Sequence, residues 1–246
     1  MTLKALIWDV DGTLAETEHE GHLVAFNRCF EEQGLPWRWD EARYARLLHV
    51  TGGTERLLAD FAERPEAPRS ETERLALART IHRRKNEVYA ELLAAGAITA
   101  RPGVLRLMRE AAEAGVAQAI ATTTSRVNLD GLCTHLLGPQ WREGFGAVVC
   151  GEDVRKKKPH PEAYLRAVRL LGVKASEALA IEDSPPGLAA ATAAGVPCLI
   201  TRSRYFADFN ALGAVQVCTH LDEAVPGRPM GVTLKALSDL FEHPMA

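Results

Sequence analysis

The chain opens on Ala5-Leu6-Ile7-Trp8, four apolar residues in a row that end at an acidic loop. That pattern predicts a short buried strand. The apolar period then lengthens. Leu23, Phe26 and Phe30 recur at helical spacing until Gly34-Leu35-Pro36 stops the helix. Residues 40–63 read as further short helices broken at Gly52-Gly53, and Arg64-Pro65-Glu66-Ala67-Pro68 reads as a loop. Leu77, Ile81, Val88, Leu92 and Ala95 then mark one long amphipathic helix that ends at Gly96.

From Arg101-Pro102-Gly103 the pattern changes to strands alternating with helices. A helix over 104–114 closes at Gly115, and Val116 to Ala121 is a strand. Thr122 to Ser125 can cap the next helix. Strands follow at Ala147 to Cys150, Ala178 to Ile181 and Pro197 to Thr201. Between them lie a helix from Pro161 to Gly172 and an alanine-rich helix ending at Gly195. Such alternation predicts a parallel sheet with right-handed crossovers. The strand at 5–8 has no nearby partner and must pair with this later sheet. The expected fold class is therefore α/β: a Rossmann-like parallel sheet core, residues 1–15 and 98–246, with an inserted all-helical cap domain over 16–97.

Composition narrows the function. Of 246 residues, 47% are hydrophobic and 25% charged, which suits one large core or a core with a smaller domain. The net charge of −3 comes without a long single-sign run, which argues against a nucleic-acid partner. No apolar run approaches the ~18 residues that a membrane span requires, and the first residues turn acidic too soon for a signal peptide. The five cysteines are odd in number and widely spaced, so they are expected as free thiols in a reducing, cytoplasmic compartment, without a zinc site.

An open parallel sheet binds its ligand beyond the carboxyl ends of its strands. Four such ends carry polar groups here. Asp9-Val10-Asp11-Gly12-Thr13-Leu14 follows the first strand. Two carboxylates crowded at one turn call for a cation, and hard oxygen ligands suit Mg²⁺. One of them can attack phosphorus, and the other can exchange the proton. Alone, the same residues would be no more than a solvated acidic turn. A calcium EF-hand loop fails because Leu14 stands where glycine is required. Thr122 and the amides of the following helix form an anion site, or simply a helix cap. Lys158 offers a point charge for phosphate, while Lys156 and Lys157 read as a solvated basic run. Glu182 and Asp183 again demand a cation or cap a helix.

These four pieces, in this order, resemble the motifs of the haloacid dehalogenase-like hydrolase superfamily: Asp9-Val10-Asp11-Gly12-Thr13-Leu14, Ile120-Ala121-Thr122, Lys158-Pro159 and Glu182-Asp183-Ser184. The resemblance implies Asp9 as nucleophile and Asp11 as general acid/base. It gives Thr122 and Lys158 the transferring phosphoryl group. Mg²⁺ would be held by Asp9, the backbone carbonyl of Asp11, and Asp183, with Glu182 orienting the ion. Asp11 argues against the dehalogenases and phosphonate hydrolases of the superfamily and for phosphate esters. Ala15 to His22, Val50 to Arg56, Thr122 to Asn128 and Lys156 to Glu162 are similar to the CbbY-like sugar-phosphate phosphatases, relatives of β-phosphoglucomutase. That likeness implies a phosphorylated sugar as partner, namely xylulose-1,5-bisphosphate, an inhibitory by-product of RuBisCO. Glu18 and His22 would approach the sugar, Gly52, Gly53, Thr54, Glu55 and Arg56 would grip the distal phosphate, and Thr123, Thr124, Ser125 and Asn128 would complete the site. A monomer is expected. A phosphomutase and a non-catalytic sugar-phosphate binding protein stand as the rival readings.

Overall fold

The computed structural model describes residues 2–224 and 231–242. Its centre is a six-stranded, all-parallel sheet: β1 (Ala5–Trp8), β2 (Ala117–Ala121), β3 (Ala147–Val149), β4 (Ala178–Glu182), β5 (Cys198–Thr201) and β6 (Gln216–Cys218). The strand order is β3-β2-β1-β4-β5-β6. As anticipated, β1 lies inside the later sheet, between β2 and β4. The chain builds outward on one side of β1 and then on the other, so the strand order reverses at β1 and β4, where such sheets open a crevice. Trp8 stands opposite Ile120 on one side and Ile181 on the other. This register brings Asp9, Thr122 and Glu182 to the same edge.

Strand residues alternate between two faces. Ala5, Ile7, Ala119, Ala121, Ala178 and Ala180 meet α7 (Glu162–Leu171) and α8 (Pro185–Ala193). Small side chains on this face let the helices come close. Leu6, Trp8, Ile120, Leu179 and Ile181 face the other way, into a cluster that also holds Val104 and Leu107 of α5 (Val104–Glu113), Leu129 of α6 (Arg126–Leu137) and Leu237 of α9 (Leu234–Glu242).

Between β1 and α5 the chain is helical: a π-helical stretch Glu18–Leu23, then α1 (Val24–Glu32), α2 (Glu41–Leu47), α3 (Gly53–Ala62) and α4 (Glu71–Ala94). Asp40 caps α2 through the Arg43 amide at 2.7 Å. At the start of α4, Ser70 accepts from the Glu73 amide, which satisfies one otherwise orphaned donor, and its hydroxyl donates to the Glu73 carboxylate. Phe26, Phe30, Trp37, Trp39 and Phe61 pack ring against ring with centroids 4.7–6.4 Å apart. The segment leaves and rejoins the sheet side by side, since Ala15 bridges Ala100 and the Arg101 amide donates to the Leu14 carbonyl at 2.8 Å.

The predicted elements are present to within a few residues. Two further elements lie beyond the predicted set: β6, and α9, whose buried Leu234, Leu237 and Phe241 do recur at helical spacing. β6 is a three-residue edge strand with Val217 turned to solvent, so neither length nor alternation marks it.

Phe30 is fully buried and touches Phe26, Trp37 and Trp39. Phe30→Ala is expected to cost ~3–5 kcal/mol by transfer and cavity formation. Denaturant unfolding followed by tryptophan fluorescence measures it, with a lowered midpoint and an unchanged m-value.

Candidate active site

The carboxyl edge of the sheet gathers charge of both signs. Lys158 reaches inward from the loop before α7, and its Nζ donates to Asp9 Oδ1 at 2.6 Å, Glu182 Oε1 at 2.6 Å and the Ala121 carbonyl at 2.7 Å. Tyr164 of α7 donates to the same Glu182 oxygen at 2.6 Å. Ligand atoms of Asp9, Glu182 and Asp183 lie within 4.8 Å of one another, and all three residues are buried. Burial raises the pKa of Asp9, and the neighbouring Glu182 raises it further, against the pull of Lys158. Asp183 is pushed well up by burial, Asp9 and Glu182. Burial alone would lower Lys158, but Asp9 and Glu182 more than reverse it. Three carboxylates beside one ammonium would carry an excess of buried negative charge when all are ionised, which is what raises Asp9 and Asp183. Hard oxygen donors carrying such an excess form a set that can hold a metal ion.

Asp11 points away from this cluster. It accepts from the Thr17 hydroxyl at 2.5 Å and lies 3.0 Å from His22 Nε2. Burial would raise Asp11, yet His22 and Thr17 hold it well below the ordinary carboxylate range. Gly12, between the two groups, has φ +81° and no room for a side chain, because a Cβ would stand 2.1 Å from Asp183 Oδ2. Only glycine allows both the backbone and the approach.

A cavity of about 360 Å³ opens above this edge, roofed by the helical segment. Every residue expected at the site lines it apart from Glu182, which lies fully buried behind it. Three of these residues also have partners within the protein. His22, expected at the sugar, rests on Asp11. Glu55, expected at a distal phosphate, pairs with Lys157 at 2.5 Å. Glu18 accepts from the Tyr44 hydroxyl, which in turn accepts from Arg56 at 3.0 Å. Arg56 is therefore a buried cation facing the cavity, as the distal-phosphate expectation requires. Asp60 takes Arg43 and Arg64, both at 2.5 Å. Thr122 is buried and accepts from the Thr124 amide at 3.2 Å, while Ser125 caps α6. Asn128 donates to Asn86 of α4 at 3.0 Å.

Sequence reasoning missed Lys85, Tyr44, Tyr164 and Arg101. Lys85 is buried in the cavity wall, with Nζ 5.0 Å from the Tyr89 ring centre and 5.5 Å from that of Phe26. Burial depresses it to about 8, partly offset by Asp11 and Glu18. The signal was available: four residues after Ile81, Lys85 occupies the apolar stripe of α4, where Arg83 and Arg84 do not.

Four likenesses to known proteins bear on this geometry. The sequence profile of the haloacid dehalogenase-like hydrolases matches residues 3–195. The plasmid-encoded CbbY protein of Cupriavidus necator is 45% identical over 229 residues, covering 93% of this chain and 89% of the relative. The crystal structure of a CbbY mutant from Rhodobacter sphaeroides in complex with xylulose-(1,5)bisphosphate is 39% identical with a TM-score of 0.82, covering 89% of this chain and 94% of that one. A putative β-phosphoglucomutase from Thermotoga maritima is 28% identical with a TM-score of 0.65, covering 88% and 94% of the two chains.

Arg101 anchors the frame beneath the site. Its buried guanidinium donates to the carbonyls of Gly12, Thr201, Arg202 and Thr219, and Nε lies 3.3 Å from Glu16. It thereby ties the Gly12 turn to the loops after β5 and β6. Arg101→Met is expected to strand four carbonyls and lower stability by at least ~3 kcal/mol, read by thermal or denaturant unfolding.

Proposed function

The chain belongs to the haloacid dehalogenase-like hydrolase family, and from that premise we propose that it is a Mg²⁺-dependent phosphatase that forms an aspartyl phosphate on Asp9. The observation that carries this reading is the Lys158 ammonium bonded at once to Asp9 and Glu182, beside Asp183, at one edge of the sheet. Residues 16–97 act as its cap, and 1–15 with 98–246 as its catalytic core.

Asp9, Asp183 and the Asp11 carbonyl would hold Mg²⁺, with Glu182 behind them. The ion supplies charge neutralisation, so that a dianionic phosphate can approach a carboxylate. The protein's own residues do the rest. Lys158 and Thr122 hold the phosphoryl oxygens. Asp9 attacks phosphorus in line; an oxygen–phosphorus bond forms to Asp9 and the bond to the sugar oxygen breaks. Asp11 gives its proton to that oxygen. His22 and Thr17 keep Asp11 ionised in the free site, so it takes up a proton from solvent as the anionic phosphate arrives and raises it, and that proton is the one it donates. Asp11 then takes a proton from the water that hydrolyses the aspartyl phosphate.

We assign the substrate to the sugar bisphosphates, with xylulose-1,5-bisphosphate first among them. Two separate cation sets support this: Lys158 at the sheet edge, and Arg56 with Lys85 in the helical wall. The second set suits a second phosphate. Glu18, which lines the cavity and is held by Tyr44, offers a partner for a sugar hydroxyl.

Incubation with xylulose-1,5-bisphosphate and Mg²⁺ is expected to release free phosphate, with EDTA and Asp9→Asn each abolishing release. A phosphorylated isomer without free phosphate would reveal a mutase, and binding without turnover would reveal a sugar-phosphate binding protein. Lys85 makes a separate prediction. It is cationic below about 8, so kcat/KM for the bisphosphate falls as pH rises through that value. Lys85→Met is expected to remove this dependence and to lower kcat/KM roughly 10- to 100-fold, most of it in KM.

A further inference from the structure

The cap touches the phosphate-binding lysine through its backbone. The Thr51 hydroxyl, in the loop before α3, donates to the Lys158 carbonyl at 2.6 Å. Among the described residues this is the hydrogen bond that carbonyl makes. One residue earlier, Lys157 Nζ pairs with Glu55 in the first turn of α3. Gly52, between these two contacts, has φ +99°, and a Cβ there would meet Glu55 at 2.3 Å and Lys157 at 2.5 Å. The loop at 51–55 is therefore shaped to lie directly on residues 157–158. Lys158 lies outside any helix or strand, so no ladder fixes its peptide. Its side chain is bonded within the sheet edge, while its main chain is bonded to the helical segment.

We propose that Thr51 is a positioning residue that couples closure of the cap to the placement of the Lys158 ammonium at the phosphoryl group. This rests on the phosphatase reading above. Residues 51–55, 157 and 158 all line the cavity, and in this proposal the 51–55 segment lifts from residues 157–158 as a sugar phosphate enters. Lifting releases the Lys158 carbonyl and with it the direction in which the side chain leaves the backbone. Closure over a bound substrate restores the bond and aims Nζ between Asp9 and Glu182. A site assembled only on closure spends its charge on an enclosed substrate rather than on bulk water.

The test compares wild type, Thr51→Val and Thr51→Ser on the bisphosphate, with inhibition by vanadate, a mimic of five-coordinate phosphorus, as a second reading. Thr51→Val keeps the shape and removes the donor. It is expected to lower kcat roughly three- to tenfold with KM near wild type, to weaken vanadate inhibition by a similar factor, and to leave the Mg²⁺ requirement intact. Thr51→Ser is expected to restore both. Wild-type kcat and vanadate inhibition in Thr51→Val would overturn the inference. So would a loss confined to KM with unchanged vanadate inhibition, which would make Thr51 a substrate contact. Wild-type protein that releases no phosphate overturns the phosphatase reading and this inference together, whereas active wild type with an indifferent Thr51→Val sinks the inference alone.

Discussion

The structure is organised around the crowding of three buried carboxylates, Asp9, Glu182 and Asp183, against one ammonium, Lys158. Carboxylates so placed repel one another, and burial makes that repulsion costly. The fold meets the cost with fixed groups. Tyr164 reaches under the sheet to Glu182, and Arg101 lies beneath the Gly12 turn beside Asp183. The remaining negative charge makes a donor set that can hold a cation. A site built on charge excess binds its reactants by relieving that excess, and the all-parallel register delivers the groups to one edge.

The sheet was legible because each interior strand is a short apolar run bounded by turn residues, and because β1 had no local partner. The polar groups at the strand ends could be read as one site for the same reason: in a parallel sheet, position at a strand's end fixes position in space. β6 escaped because an exposed three-residue edge strand carries no alternation. Residues placed by tertiary packing escaped too. Arg101 looks like a loop arginine before Pro102-Gly103, and nothing nearby in sequence announces the four carbonyls it collects from positions 12, 201, 202 and 219. Lys85 was legible in principle, as a charge occupying an apolar helical position.

Side-chain partners inside the cavity were the least accessible to sequence. His22 and Glu18 follow the same motif, but one turns to Asp11 and the other to Tyr44. Glu55 and Arg56 are adjacent, yet α3 sends them to opposite duties: Glu55 to Lys157 on the core and Arg56 into the cavity wall. Adjacent helical residues point about 100° apart, so a motif read as a unit need not act as one.

The bridge between Ala15 and Ala100 has a consequence for how such a protein can change over evolutionary time. The chain leaves the sheet and returns to it at neighbouring points, so whatever is spliced between them closes a loop whose ends are already together. The entropy of closing such a loop grows only slowly with its length. A shorter, longer or differently folded segment could replace the present one at the cost of the contacts it makes across the boundary, while the charged edge stayed intact. The two stretches of chain are thus separable in their connection, and they meet at the site where Thr17, His22 and Thr51 of the inserted segment reach Asp11 and Lys158.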